Sequence, residues 1–357
     1  MNILFYVDFP LGGRGGVERV LSTYYQALSA DHHIQIVLAH QSMDSEWEEG
    51  LPVLHLMKTP IKAARGVDIS GYLNRFTKVL FEQQLPIDCM VTLGTRSTKI
   101  AKLAAQRLGL NTKVISWLQL NTDHVLNNKD DLRYADGHLA ITQALKEEIE
   151  QATESSSIHV VYNPLNIHQL PLIPRPEFPE FAYVGRLTKE KRVEDILVAL
   201  SRINPANWKL HIFGEGDELP NLAASAHTLG IESKVVFHGW TPNPWNNLEK
   251  CTALIHASES ESFGLALVEA LSCGIPVLAS DCPYGPREII DGTNGWLYPV
   301  GDVDALSSLV SEILLEKRRL PAPEACIASV RKFSADSVIP RFLTALTSMV
   351  SDLPMLR

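Results

Sequence analysis

Short apolar runs alternate with amphipathic stretches along most of this chain. Residues 2–7, 34–39, 53–56, 88–93, 112–117, 138–141 and 159–162 form β-rich runs, and 17–28, 69–84, 97–108 and 143–151 repeat apolar residues at helical spacing. Strands and helices in that alternation predict an α/β fold with a mostly parallel sheet. The pattern stops between 163 and 180, where Pro164, Pro171, Pro174, Pro176 and Pro179 exclude a helix or a central strand. This composition predicts an interdomain linker. Beyond it, strands are expected at 181–185, 209–213, 235–238 and 253–257. Helices are expected at 193–200, 305–315 and 334–353, the last interrupted at Pro340.

The stretch 253–280 reads as strand, acidic loop, a short helix opening near Gly264, a Gly274-Ile275-Pro276 stop and a second apolar strand. In a doubly wound sheet, ligands bind where loops leave the carboxyl ends of strands. A helix start presents unpaired N–H groups and a partial positive charge, here at Phe263, Gly264 and Leu265, and so favours a phosphate. Gly264 lets the backbone approach closely. Glu269 lies roughly 7.5 Å further along the helix, within reach of the ribose hydroxyls of a nucleotide whose diphosphate sits at the helix start. Glu261 lies on the opposite side, where a sugar on that diphosphate would be. The competing reading is a solvated acidic loop followed by an exposed helical glutamate.

Two further loops have anion-binding character. Gly12-Gly13-Arg14-Gly15-Gly16 joins the first strand to the first helix, an arrangement that cradles phosphate with backbone N–H groups. It lacks the Lys-Ser/Thr of a nucleotide P-loop and the spacing of a dinucleotide fingerprint. After the strand at 181–185, Arg186 can offer two parallel hydrogen bonds to a diphosphate, and Lys191 supplies a point charge.

With 357 residues, 45% hydrophobic and 20% charged, the chain has room for two ordinary globular domains. Its net charge of -9 argues against general nucleic-acid binding. No apolar run reaches the length of a membrane span, and residues 1–10 lack the basic start of a signal peptide. Five scattered cysteines without a Cys-x-x-Cys pair fit a reducing cytoplasm and no zinc site. One segment runs against the overall charge. Between 58 and 78, Lys58, Lys62, Arg65, Arg75 and Lys78 accompany the apolar Tyr72, Leu73, Phe76 and Leu80. It reads either as a docking surface for an anionic membrane or glycolipid, or as a core-packed helix with a solvated basic face.

Glu261, seven residues, then Glu269, with Phe263-Gly264 between and Ala270-Leu271-Ser272-Cys273-Gly274-Ile275-Pro276-Val277 after, resembles the signature of the family-4 retaining glycosyltransferases. The Gly185-Arg186-Leu187…Lys191 stretch resembles that family's diphosphate-binding segment, with Arg192 where many members have glycine. The resemblance implies the GT-B architecture: two Rossmann-like, doubly wound domains facing a cleft. Residues 1–165 would bind the acceptor, residues 166–339 the nucleotide sugar, and a last helix at about 340–357 would pack back on the first domain.

By the same resemblance, Arg186, Lys191, Phe263, Gly264 and Leu265 hold the diphosphate of a UDP-sugar, Gly239 and Trp240 meet the base, and Glu269 meets the ribose. Gly15, Gly16 and Glu18 approach from the first domain. Glu261 is the catalytic carboxylate. Members often carry a histidine in the loop after 117–118. Here Gln119 stands in that place, and His124, preceded by Asp123, is the nearest imidazole and the expected catalytic pair. No metal and no cofactor beyond the UDP-sugar co-substrate are implied by the resemblance. The second half, in Lys191-Arg192-Val193, Trp208-Lys209-Leu210-His211, Gly239-Trp240, Asp281-Cys282 and Gly285-Pro286, is similar to the branch that adds galactose to the lipopolysaccharide core. The implied acceptor is a lipopolysaccharide core or related cell-envelope glycan, at the cytoplasmic face of the inner membrane. Alternatives are a capsule, teichoic-acid or glycolipid transferase, or a sugar-nucleotide-binding protein without catalysis.

Overall fold

The computed structural model describes residues 1–57, 68–83, 86–119, 129–155, 157–203 and 207–351. The chain divides into two units, Met1–Pro164 with Ala335–Arg357, and Leu165–Ser334.

The first unit holds β1 (Asn2–Val7), β2 (His33–Leu38), β3 (Val53–His55), β4 (Cys89–Thr92), β5 (Lys113–Leu118), β6 (Gly137–Ala140) and β7 (Ile158–Val160). All pair in parallel, in the order β3-β2-β1-β4-β5-β6-β7. β1 and β4 are buried on both faces, which is why they read as unbroken apolar runs. On one face Leu4, Tyr6, Met90 and Val114 pack with α2 (Ile69–Phe81) and α3 (Thr95–Leu108). On the other, Phe5 and Trp117 meet Tyr24 of α1 (Gly16–Leu28); the Tyr24 and Trp117 rings are 4.9 Å apart, edge to face. α4 (Gln143–Ala152) links β6 to β7 and is capped by the Thr142 hydroxyl.

The second unit is a six-stranded parallel sheet in the order β10-β9-β8-β11-β12-β13. Its strands are β8 (Glu180–Val184), β9 (Lys209–Phe213), β10 (Val235–Gly239), β11 (Ala253–His256), β12 (Val277–Ser280) and β13 (Gly295–Tyr298). The helices are α5 (Val193–Ser201), α6 (Leu219–Thr228), α7 (Leu265–Ser272), α8 (Gly285–Ile289), α9 (Val303–Leu314) and α10 (Pro323–Ser329). Ile196, Leu197 and Leu200 of α5 and Leu306 and Val310 of α9 fill one core against Phe181, Leu210 and Ile255. The strand order reverses between β8 and β11, so the loops after these two strands flank a switch point.

Three expectations are refined. The proline-rich segment begins where the two units divide, and it is packed. From Leu165 onward it belongs to the second unit, with Ile173 buried, its N–H bonded to the Cys273 carbonyl, and the Pro174 carbonyl accepting from Cys251 N–H. The last helix, α11 (Ala335–Val350), starts earlier than about 340 and runs unbroken through Pro340. Its Phe342 lies 4.5 Å from Tyr24 and 5.8 Å from Trp117 between ring centres, and a Cβ on Gly137 would collide with Met349. That apolar packing outweighs the one backbone hydrogen bond that proline forfeits. Finally, of the two readings of the basic segment, its apolar face is the core-packed one: Tyr72, Leu73, Phe76 and Leu80 are buried in the first unit's own core. Arg75 and Lys78 remain on its exposed side; Lys58, Lys62 and Arg65 lie outside the described residues.

Candidate active site

The second unit's switch point assembles most of the predicted residues. After β8 the chain turns at Gly185 and Arg186, makes a short 3-10 turn at Lys189–Lys191, and enters α5 through Arg192. Neighbouring strand ends are stitched together. Gly185 N–H donates to the Phe213 carbonyl, Gly214 N–H to that of Gly239, and Leu187 N–H to that of Glu215. Gly214 must be glycine, since a Cβ there would strike the Gly185 carbonyl. The β8 and β11 loops also meet directly, Glu259 N–H donating to the Glu190 carbonyl at 2.9 Å.

Across this crevice Lys191 Nζ donates to Glu261 Oε2 at 2.7 Å. His256, the last residue of β11, places Nε2 3.2 Å from the same oxygen and 3.1 Å from Ser258 Oγ. Tyr298 Oη donates to the His256 carbonyl, and Ser280 Oγ to that of Ser258, so the neighbouring strands brace the loop from beneath. Burial pushes the Glu261 carboxyl upward, but the Lys191 cation and the His256 contact outweigh it and hold the group at about 2. Glu261 is therefore a fixed anion with one oxygen in a polar cluster.

Gly264 caps α7 at φ 99°, a left-handed turn that suits glycine, and a Cβ there would lie 2.9 Å from Leu267 Cδ1. No side chain caps this end and no acid occupies the first turn. The N–H groups of Leu265 and Ala266 have no intrahelical acceptor by geometry, which suits them to an anion. Phe263 is buried edge-on to Phe333 at 5.4 Å and anchors the turn.

Glu269 is 2% exposed, and Oε2 accepts from Trp245 Nε1 at 2.9 Å. It is thus a held, inward carboxylate and not an exposed helical glutamate. Arg186 is the opposite case: its side chain is 73% exposed and pairs only loosely with Glu190, at 3.8 Å. Trp240 is half-buried, and its backbone N–H donates to Glu215 at 3.4 Å, pinning the turn at Gly239. Arg192 takes the left-handed conformation (φ 49°) that glycine would adopt without strain, and donates to Asp195 at 2.8 Å.

In the first unit, Gly15 caps α1 and Gly16 opens it. Glu18 turns back into this loop, buried, and accepts from Gly13 N–H at 2.7 Å. It shapes the glycine loop from inside. Gln119 is buried and accepts from Asn163 Nδ2 at 2.9 Å. Asp123 and His124 lie outside the described residues. Sequence reading missed His256, Ser258 and Trp245. A polar residue closing the apolar strand at 253–257 was the available sign of His256; Trp245 had none, being brought to Glu269 by the fold alone.

Residues 172–333 match the family described as Glycosyl transferases group 1. The lipopolysaccharide 1,6-galactosyltransferase of Escherichia coli K12 is 30% identical over 98% of this chain and 99% of its own length. That of Salmonella typhimurium LT2 is 37% identical over 61% of this chain and 63% of its own. Among solved structures, the chain is similar to the lipopolysaccharide outer core galactosyltransferase WaaB in its apo form, with a TM-score of 0.82 and 28% identity over 97% of this chain and 99% of that one.

Proposed function

This chain belongs to the group 1 glycosyl transferases and has their GT-B fold, and on that premise we propose that it moves galactose from UDP-galactose to a sugar of a lipopolysaccharide core. Its similarity to lipopolysaccharide 1,6-galactosyltransferases along nearly the whole chain supports both the sugar and the acceptor class. That acceptor puts the enzyme at the cytoplasmic face of the inner membrane.

The observation that carries the reading is the Lys191–Glu261 pair facing the open start of α7. The donor diphosphate lies against the Leu265 and Ala266 N–H groups with Lys191 beside it, and Arg186 is free to swing onto its outer oxygens. Glu261 accepts from a hydroxyl of the transferred hexose. Glu269 takes the ribose hydroxyls from its place beside Trp245, and uracil lies on the Gly239-Trp240 turn. In the reaction the bond from the anomeric carbon to the diphosphate oxygen breaks. The acceptor oxygen bonds on the same face, and its proton departs with UDP. Charge developing on the diphosphate meets a fixed cation and fixed N–H dipoles that need no reorganisation.

These positive groups belong to the protein, so transfer is expected to persist in EDTA. The test is transfer to a lipopolysaccharide core truncated before galactose, with UDP-galactose, UDP-glucose and UDP-N-acetylglucosamine compared, with and without EDTA. Preference for another sugar refutes the galactose assignment; abolition by EDTA, restored by a divalent cation, refutes metal independence. A protein that binds UDP but never releases it from any donor is no enzyme.

A further inference from the structure

The carboxyl ends of β1, β2 and β4 carry a second polar cluster, within the first unit. Asp8 follows β1 and is buried. Arg96, in the first turn of α3, donates through Nε to the Asp8 carboxylate and through Nη2 to the Asp8 carbonyl at 3.0 Å. Its guanidinium stands 5.1 Å over the Tyr72 ring, and the Tyr72 hydroxyl shares a hydrogen bond with His40 Nε2 at 3.1 Å. Gly94 permits this approach, since a Cβ there would come within 3.3 Å of Asp8 Oδ1.

A strut tying β1 to α3 explains the Nε and Nη2 bonds but not the rest of the cluster. The Arg96 side chain is 45% exposed, and its Nη1 edge has no partner among the described residues. Two buried polar atoms beside it, Tyr6 Oη and His40 Nδ1, likewise have no partner among the described residues, and both side chains feel the charges of Asp8 and Arg96. Unmet buried polar groups are uncommon, and their collection around an exposed cation marks a binding site. The cluster also sits where the strand order reverses, between β1 and β4. α3 begins there without a side-chain cap or an acid in its first turn, adding partial positive charge.

We propose that Arg96, aimed by Asp8 and Tyr72, binds an oxyanion (a phosphate or a carboxylate) carried by the acceptor glycan. The planar fork of an arginine held at Nε leaves its outer edge ready for two parallel hydrogen bonds to such a group. The inference rests on the glycosyltransferase reading above, with the acceptor taken by the first unit.

The test uses full-length enzyme, UDP-galactose and truncated lipopolysaccharide core in three forms: untreated, dephosphorylated with hydrofluoric acid, and methyl-esterified at its carboxylates. For the wild type, one treatment should raise the acceptor KM roughly tenfold to hundredfold, the range for a charged hydrogen-bonded contact. Arg96→Gln should raise the KM for untreated acceptor by a similar factor and respond to neither treatment. Its Kd for UDP, measured by calorimetry, should not change. Because Arg96→Gln strands a buried carboxylate, Asp8→Asn/Arg96→Gln serves as the variant that keeps the fold, with the same expected kinetics. Arg96→Lys, keeping charge without the fork, should recover part of the loss. A transferring wild type indifferent to both treatments, or a folded variant as sensitive as wild type, overturns this inference alone. A wild type that fails to bind UDP overturns the donor reading and this inference together.

Discussion

Lys191→Met removes the cation at the centre of the proposed donor site while keeping most of the side chain's length and apolar stem. Lys191 Nζ lies 2.7 Å from Glu261 Oε2, and both side chains are largely enclosed, so water will not replace the lost charge efficiently. Two effects follow. Stabilisation of the departing diphosphate falls, and loss of one such preorganised donor costs about 2.7–4 kcal/mol, or 10²–10³ in kcat. Glu261 also loses the largest influence opposing its burial, while the His256 contact remains, so its pKa rises from about 2 towards the ordinary 4.5.

The sign is definite. A depressed carboxylate contributes stability above its unfolded value, lost as pH falls from about 4.5 towards 2, and the variant forgoes that contribution. In wild type Glu261 stays ionised from pH 4 to 8 and gives the rate profile no acid limb. In Lys191→Met a new acid limb should appear as Glu261 takes up a proton. UDP release at saturating UDP-galactose, followed over pH 4–8, measures both effects. A kcat within threefold of wild type and an unchanged profile would refute the assignment of Lys191 to the leaving group.

Three further outcomes concern stability. Arg192→Gly should change it by less than about 1 kcal/mol in urea unfolding, because relief of the left-handed strain offsets the lost Asp195 pair and the added chain entropy, whereas Arg192→Val should cost about 2 kcal/mol. Phe342→Ala should cost about 3–5 kcal/mol, read as a lower urea midpoint, since its ring is fully buried among Phe5, Tyr24 and Trp117. Burial drives His138, which shares a 2.7 Å hydrogen bond with Ser116, down to about 4. The unfolded chain therefore binds the extra proton, and stability should fall by about 3 kcal/mol as pH drops from 6.5 to 4. Thermal melts across that range should show the loss, and His138→Gln should flatten it.

The strands of both sheets were the most legible elements, because a parallel strand covered on both faces must be apolar throughout, as β1 and β4 are. α6 and β13 escaped notice. One is short and mostly exposed, and the other is four residues opened by a glycine. Pro340 misled for a different reason: local propensity disfavours it within a helix, and burial of Val338, Ile339 and Phe342 overrides that preference. In the site, Glu261, Gly264 and Glu269 were readable because strand, loop and helix follow one another directly. The support of Glu269 by Trp245, and the convergence of His256 on Glu261, depend on where the sheet brings side chains, which spacing does not encode.

Because Phe342 and Met349 complete the core begun by Phe5, Tyr24 and Trp117, the ribosome makes the first half of that core long before its cover. Leu165–Ser334, contiguous in the chain, emerges in the interval and can fold at once. At about 5–20 residues per second the aromatic cluster waits on the order of ten to forty seconds for its last ring. During translation the aromatic face of the first unit thus stays uncovered until α11 emerges. Abortive synthesis ending before α11 would yield a product with a sound second half and an aggregating first.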